Sequence, residues 1–176
     1  MELMDTVSFR TSDGRTLADL SRDRPVLLVC LRHLGCTFAR QALADLREQR
    51  QAIEQSGVRV VLAHLEDDAV AAPVFARYGL EDLPHVSDPG AHVYESCGLT
   101  RGGARQLFAP RVFWRGLRAA LLERHGAGLS GADVRRMPGA FLIDHGRIVR
   151  AFRHATSSDR PDYTALCQRA QASTGS

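Results

Sequence analysis

The sequence has no apolar run long enough to span a membrane. The longest such run extends from Val26 to Leu31, whereas a membrane-spanning helix needs roughly 20 apolar residues. Residues 1–5 include early acidic side chains and no apolar stretch, so they do not resemble a signal peptide. We therefore expect a cytoplasmic protein with no membrane span.

The sequence also lacks a strong charge of either sign. Its formal net charge is +3, and both signs are interspersed among the charged residues, which make up 24% of the chain. None of the arginine-rich segments contains a nucleic-acid-binding motif, so we expect no nucleic-acid partner. An apolar content of 44% is enough for a sizeable core, which indicates a globular protein.

Closely spaced pairs of metal-binding residues are lacking as well. The chain contains no Cys-x-x-Cys and no His-x-x-x-His sequence, so we predict no metal site and no cofactor. In a reducing compartment the cysteines start as free thiols, and lasting disulfides are not expected. Four thiols are therefore candidates for reactivity: Cys30, Cys36, Cys97 and Cys167.

Hydrophobic patterning predicts alternating strands and helices. Two apolar runs have the length of strands buried on both faces. Between them, residues 39–53 show the periodicity of an amphipathic helix. Two later runs flank a His145-Gly146 turn and predict a hairpin. The four predicted strands are Val26–Leu31, Val58–Leu65, Phe141–Asp144 and Ile148–Phe152.

The order of the predicted elements is β-α-β-α followed by β-β-α, the order of a thioredoxin fold. The first two strands must be parallel because a helix crosses between them. The hairpin strands are antiparallel, so we expect a three-layer α/β/α sandwich with a mixed central sheet. We predict a single domain over residues 1–176, with an insertion at 99–136 that contains a helix, Pro110–His125, and a frayed tail at 171–176.

Cys36 has the sequence setting of a reactive thiol. It lies where the first buried strand ends and a helix begins, at the edge where open α/β sheets usually place their sites. The unpaired N–H groups and the positive dipole end of a helix favour the thiolate, which is the nucleophilic form. We expect Arg32, His33 and Arg40 to add positive potential there. A buried structural cysteine is the alternative interpretation.

Other residues around Cys36 are candidates for supporting roles. We expect Gly35 to allow a tight turn that leaves the sulfur approachable. Thr37 follows the cysteine directly. His33 is a candidate proton donor to the chemistry at sulfur, and a solvent-exposed loop histidine is the alternative.

Four segments resemble the AhpC/TSA superfamily, of which peroxiredoxins are the best-known members. These segments read LRHLGC at 31–36, YGL at 78–80, VSDP at 86–89 and GAFLID at 139–144. The first looks most like the divergent group that includes the prostamide/prostaglandin F synthases. The resemblance implies a thioredoxin fold and a peroxiredoxin-like antioxidant that reduces peroxides or disulfides through one cysteine, with an external thiol as reductant and no cofactor.

The chain departs from the usual peroxiredoxin motif near Cys36. A typical peroxiredoxin has Pro four residues and Thr or Ser three residues before the reactive cysteine, where this chain has Arg32 and His33. A thioredoxin-like dithiol would need a cysteine at Ala39. Disulfide exchange within the motif is therefore excluded.

A second departure precedes the late hairpin. Typical peroxiredoxins have an arginine there, whereas this chain has Met137-Pro138. Pro138 looks like the cis-proline that faces the active cysteine in thioredoxins. We therefore expect a cis Met137–Pro138 bond beside Cys36.

Two questions stay open at the level of sequence. An oxidised Cys36 would be reduced either by an external thiol or by Cys97, which is the candidate resolving cysteine. The second open question is the class of function. The alternative to a thiol oxidoreductase is a redox-inert thioredoxin-fold module that binds a partner through the Pro138 face or the 99–136 insertion.

Overall fold

The computed structural model of the chain describes residues 2–3, 9–99, 136–155 and 159–168. The predicted helix Pro110–His125, nearly all of the 99–136 insertion and the 171–176 tail lie outside the described residues. No helix within the described ranges is both long enough and apolar enough to cross a membrane.

Six strands and five helices make up the described part of the chain. Strands and helices alternate until β4, and a hairpin follows later in the chain, as the patterning predicts. In chain order they are β1 (Glu2–Leu3), α1 (Leu17–Asp23), β2 (Val26–Cys30), α2 (Thr37–Gln55), β3 (Arg59–His64), α3 (Asp68–Tyr78), β4 (His85–Ser87), α4 (His92–Ser96), β5 (Gly139–Asp144), β6 (Arg147–Arg153) and α5 (Tyr163–Gln168).

The strands form one mixed sheet in the order β1-β6-β5-β2-β3-β4. β2 pairs in parallel with β3 and antiparallel with β5, so it lies in the interior of the sheet. At its end, Cys30 lies opposite Ala63 on one side and Gly139 on the other. The mixed sheet predicted from the sequence is confirmed.

Helices cover both faces of the sheet. Alternate residues of β2 point to opposite faces, and each face has its own apolar core. One core packs against α2, α3 and α5, and the other against α1 and α4. This is the predicted three-layer α/β/α sandwich.

The N-terminal elements differ from the prediction. The sequence pattern does not predict α1. This helix begins after Thr16, whose hydroxyl accepts a hydrogen bond from the Asp19 backbone N–H. This helix has seven residues, too few for a clear apolar period. α2 begins at Thr37, two residues before the predicted start at Ala39, so it follows Cys36 directly.

The prediction of a cis Met137–Pro138 bond is wrong, because this bond is trans. The chain is already extended here: the Pro138 carbonyl accepts a hydrogen bond of 3.3 Å from the His154 N–H. The next residue, Gly139, pairs with Cys30 and Arg153 in the sheet. Proline therefore sits immediately before a strand, a position that it tolerates.

Tyr94 ties α4 to the carboxyl ends of two strands. Its buried hydroxyl lies 2.6 Å from the Leu31 carbonyl and 3.0 Å from the Ala63 carbonyl, so its single hydrogen is shared between the two acceptors. We expect Tyr94→Phe to lower the free energy of unfolding by about 1–3 kcal/mol, because buried carbonyls lose a donor. Urea denaturation with an unchanged m-value measures this loss.

Tyr78→Phe is the matched control, because Tyr78 is half-buried at the end of α3. It should change the free energy of unfolding much less. Equal effects of the two substitutions would show that the Tyr94 hydroxyl contributes nothing specific.

Candidate active site

The candidate site is built on the loop that leaves the carboxyl end of β2. The Leu31 N–H still donates to the Ala63 carbonyl at 2.9 Å, which extends the pairing by one residue. The chain then turns, and the Cys36 N–H donates to the His33 carbonyl at 2.9 Å. Cys36 is half-buried and is the N-cap of α2, with extended backbone angles of −80° and 139°.

The electrostatics at this helix end favour an anion. α2 has 19 residues, and its first turn contains no acidic residue. The first N–H groups of a helix have no intrahelical acceptor, and together they form the positive end of the dipole. Cys36 therefore stands at the positive end of this helix, and its side chain makes no capping hydrogen bond to the helix N–H groups.

The other three thiols are buried in the two cores. Burial raises the pKa of Cys30, and a hydrogen bond shared with the Cys97 thiol raises it further. Burial likewise raises the pKa of Cys167 to about 11. Cys36 is thus the most accessible of the four cysteines.

Cys97 lies in the core against Cys30, on the sheet face opposite α2. The same core contains Val93 and Tyr94 of α4. The structure therefore places the candidate resolving cysteine under the sheet, among α4 side chains, rather than on the α2 side.

The residues near Cys36 that the sequence offers as cations differ in exposure. Arg32 is buried, whereas Thr37 and Arg40 are exposed. Burial, together with the nearby Arg32 guanidinium, lowers the pKa of His33 below its usual value. This shift favours the neutral imidazole, so it does not support His33 as a source of positive potential.

Gly35 lies in the turn that leads to Cys36. Its backbone is outside the left-handed region that favours glycine. A Cβ at this position would lie 3.4 Å from Nδ1 of His33, which is ordinary contact. The tight turn therefore forms without a conformation that only glycine adopts easily.

Glu66 supports the loop, and the sequence analysis missed it. Its Oε1 accepts a hydrogen bond of 2.7 Å from the Leu34 N–H, between His33 and Cys36 in the chain. The carboxyl group is buried, and burial raises its pKa. No short motif links Glu66 to the cysteine loop, because the contact depends on the pairing of β2 with β3.

A cleft opens between the start of α2 and the segment around Pro138. Arg32 and Phe38 line one side, and Pro138 and His154 line another. Cys36 lies between Arg32 and Phe38 in the chain, but it does not itself line the cleft. Met137 is only 4% exposed and belongs to the protein interior.

Comparison with known protein families matches residues 45–156 to the family described as AhpC/TSA antioxidant enzyme. The match covers more than half of the chain. The chain belongs to the AhpC/TSA family. It is therefore a peroxiredoxin-like thiol oxidoreductase by family. The matched segment begins within α2, so Cys36 lies outside it.

Solved structures show that this AhpC/TSA protein has the expected thioredoxin-like fold. Peroxidoxin BcpB from Mycobacterium tuberculosis has 18% identity and a TM-score of 0.65, covering 98% of this chain and 97% of that chain. A cysteine mutant of peroxiredoxin Q from Xanthomonas campestris has 12% identity and a TM-score of 0.62, covering 94% and 89%.

A third similar structure is MTB dsbF in mixed oxidized and reduced forms. It has 15% identity and a TM-score of 0.59, covering 99% of both chains. At these identities the likeness concerns the fold alone. Comparison with curated proteins finds no match.

We predict that Glu66 positions the cysteine loop through its acceptor oxygen. Glu66→Ala should lower the free energy of unfolding by about 1–3 kcal/mol, because the Leu34 N–H loses its buried partner. Glu66→Gln keeps an acceptor oxygen and removes the buried charge, so its stability should stay close to that of the wild type. Urea denaturation compares the variants, and equal losses in both would exclude the positioning role.

We predict that His33 contributes no charge to Cys36 at neutral pH. The lowered pKa of His33 keeps the imidazole neutral above its usual titration range. His33→Gln should therefore leave the pH profile of Cys36 alkylation unchanged between about pH 7 and 8. A profile displaced to higher pH in this variant would show that an imidazolium stabilises the thiolate.

Proposed function

We propose that Cys36 is the nucleophile of a thiol-dependent peroxide reductase. Its thiolate attacks one oxygen of a peroxide ROOH, an S–O bond forms and the O–O bond breaks. The leaving RO⁻ takes a proton and departs as ROH, and the cysteine is oxidised to sulfenic acid. No other reactant is needed for this step.

The position of Cys36 carries the proposal. This thiol is the half-buried N-cap of a long helix without first-turn acids, whereas the other three thiols are buried. A nucleophile must reach its substrate and must be available as the thiolate. Cys36 meets the first condition, its position at the N-terminus of α2 supports the second, and family membership supplies the class of reaction.

We propose that an external thiol completes the cycle. A thiol R′SH condenses with the sulfenic acid to a mixed disulfide and releases water. A second R′SH then attacks, restores the Cys36 thiol and leaves as the disulfide R′SSR′. Ala39 excludes a local dithiol, and Cys97 would have to leave its place beside Cys30 to take part.

We propose that residues near the cleft support this chemistry. Arg32 provides a permanent positive charge on the cleft wall, and Pro138 shapes the opposite side. Met137 anchors the segment before Pro138 through its buried side chain. Thr37 and Arg40 are exposed in the first turn of α2, where they border the approach to Cys36.

The finer placement of the chain is also a proposal. The LRHLGC stretch at 31–36 supports a place in the group that includes the prostamide/prostaglandin F synthases. Comparing hydrogen peroxide, an alkyl hydroperoxide and a lipid endoperoxide as oxidants tests it, and an endoperoxide that is not reduced counts against this group. A reducing, cytoplasmic environment would suit the four free thiols.

We further propose one domain over 1–176, with 99–136 as an insertion. The Arg136 side chain donates a hydrogen bond of 3.0 Å to the Leu99 carbonyl and pairs with Glu95. The two ends of the segment therefore meet at one place on the fold, which is the arrangement that an insertion requires.

We predict that Cys36→Ser abolishes peroxide reduction while the fold is retained. A hydroxyl is not ionised at neutral pH and cannot form a sulfenic acid, so no first step occurs. Peroxide consumption with several thiol donors measures turnover, and circular dichroism checks the fold. Full activity in Cys36→Ser would exclude the proposed nucleophile.

Cys97→Ala is the matched cysteine control. It should keep turnover within a few-fold of the wild type when an external thiol is supplied, because Cys97 lies beneath the sheet. Loss of turnover in a folded Cys97→Ala variant would identify Cys97 as the resolving cysteine. A wild-type protein that reduces no peroxide with any thiol donor would favour the redox-inert binding module.

A further inference from the structure

Two histidines and an aspartate converge where β3 and the edge strand β4 meet the start of α3. His64 is the last residue of β3, His85 is the first residue of β4, and Asp68 is the first residue of α3. His85 pairs with Leu62, whose side chain points to the same face as that of His64. Both imidazoles therefore project towards the N-terminal end of α3.

The three side chains direct one ligand atom each towards a common point. Oδ1 of Asp68 lies 3.5 Å from Nε2 of His64 and 3.4 Å from Nε2 of His85. One ligand atom from each residue lies within 4.8 Å of the others. We propose that this cluster is a site for a divalent transition metal of the zinc class.

The spacing suits joint ligation better than direct hydrogen bonding. Hydrogen bonds between nitrogen and oxygen are about 2.7–3.2 Å long. The contacts of Asp68 with His64 and His85 are therefore both longer than a normal hydrogen bond. In a tetrahedral zinc site with bonds of about 2.0–2.1 Å, neighbouring ligand atoms are about 3.3–3.4 Å apart. The two observed distances are close to this edge length.

His64 provides the second, independent observation. Its side chain is completely buried, and neither ring nitrogen makes a hydrogen bond of normal geometry with a described residue, the Glu66 backbone being only a weak neighbour. A buried polar group without a partner costs about 1–3 kcal/mol. Coordination of a metal through Nε2 would satisfy the nitrogen that points towards Asp68.

The orientation of His85 suits a metal ligand. Nδ1 of His85 lies 3.3 Å from the Leu83 carbonyl. A hydrogen bond from Nδ1–H to this carbonyl leaves the Nε2 lone pair for a metal, as in many zinc sites.

The donor set indicates both the metal class and an open position. Two imidazoles and one carboxylate suit zinc, and three protein ligands leave a fourth place for water. The Asp68 side chain is 63% exposed, so the cluster is open to solvent on that side. Imidazole and carboxylate ligands also distinguish this site from the thiol chemistry at Cys36.

Aromatic packing is the competing explanation of the cluster. The Phe75 ring lies 5.4 Å from the His64 ring and 5.3 Å from the His85 ring, in edge-on contacts. These contacts explain why the imidazoles are buried beside α3. They offer no acceptor to the nitrogens of His64 and no reason for Asp68 to approach both rings.

The test compares Zn²⁺ binding by the full-length wild type, Asp68→Asn and Asp67→Asn in competition with a chromophoric chelator. Asp67 and Asp68 are adjacent and exposed, and their substitutions change the charge equally. We expect Asp68→Asn to weaken binding by on the order of tenfold or more. Asp67→Asn should bind Zn²⁺ as the wild type does.

A second pair of variants guards against a loss of folding. His85→Gln should weaken Zn²⁺ binding similarly, whereas His145→Gln changes an imidazole that is 73% exposed on the hairpin turn and should have no effect. Thermal melts in the absence of metal confirm that each variant folds. Zn²⁺ should raise the melting temperature of the wild type, Asp67→Asn and His145→Gln, but not that of Asp68→Asn or His85→Gln.

Co²⁺ distinguishes the proposed ligands from cysteine. Tetrahedral Co²⁺ held by imidazole and carboxylate should give visible ligand-field bands without a thiolate charge-transfer band. No Zn²⁺ binding, binding that survives both Asp68→Asn and His85→Gln, or a thiolate band lost in Cys36→Ser would overturn the proposal. None of these outcomes depends on whether the chain reduces peroxide.

Discussion

The interior strand β2 is the constraint on which the site depends. All five of its residues are buried, and it pairs with β3 on one side and β5 on the other. Its register places Cys30 opposite Gly139, where an added Cβ would lie 2.9 Å from atoms of Leu99 and Phe141. Any shift of β2 would disturb both cores at once, so the loop that carries Cys36 starts from a fixed point.

Long apolar patterns made the interior of the fold predictable. The runs at 26–31 and 58–65 and the amphipathic period at 39–53 correspond to β2, β3 and α2, and the His145-Gly146 turn joins the predicted hairpin. The short α1 lacks such a period, and the trans bond before Pro138 follows from strand pairing that a motif comparison does not consider. The sequence therefore predicts elements with long apolar patterns and misses a short helix and features set by the pairing of distant strands.

The residues missed around the site are those that act through long-range contacts. Glu66 meets Leu34 only because β2 and β3 are adjacent and end at the same edge. His64 and His85 converge because two parallel strands place their side chains on one face. A search for short metal-binding spacings cannot find such a pair. The segment that follows β3 thus provides Glu66, which supports the loop before Cys36, and Asp68, which belongs to the histidine cluster.

In the proposed reaction, the distribution of thiols confines contact with peroxide to one sulfur. A peroxide reacts with thiolates that it can reach. Cys30 and Cys167 are buried and have raised pKa values, so they resist ionisation as well as contact with oxidant. The cores that fix β2 and α2 therefore also protect these thiols. Because residue 39 is alanine and Cys97 lies in the core against Cys30, the proposed cycle takes its reductant from solution.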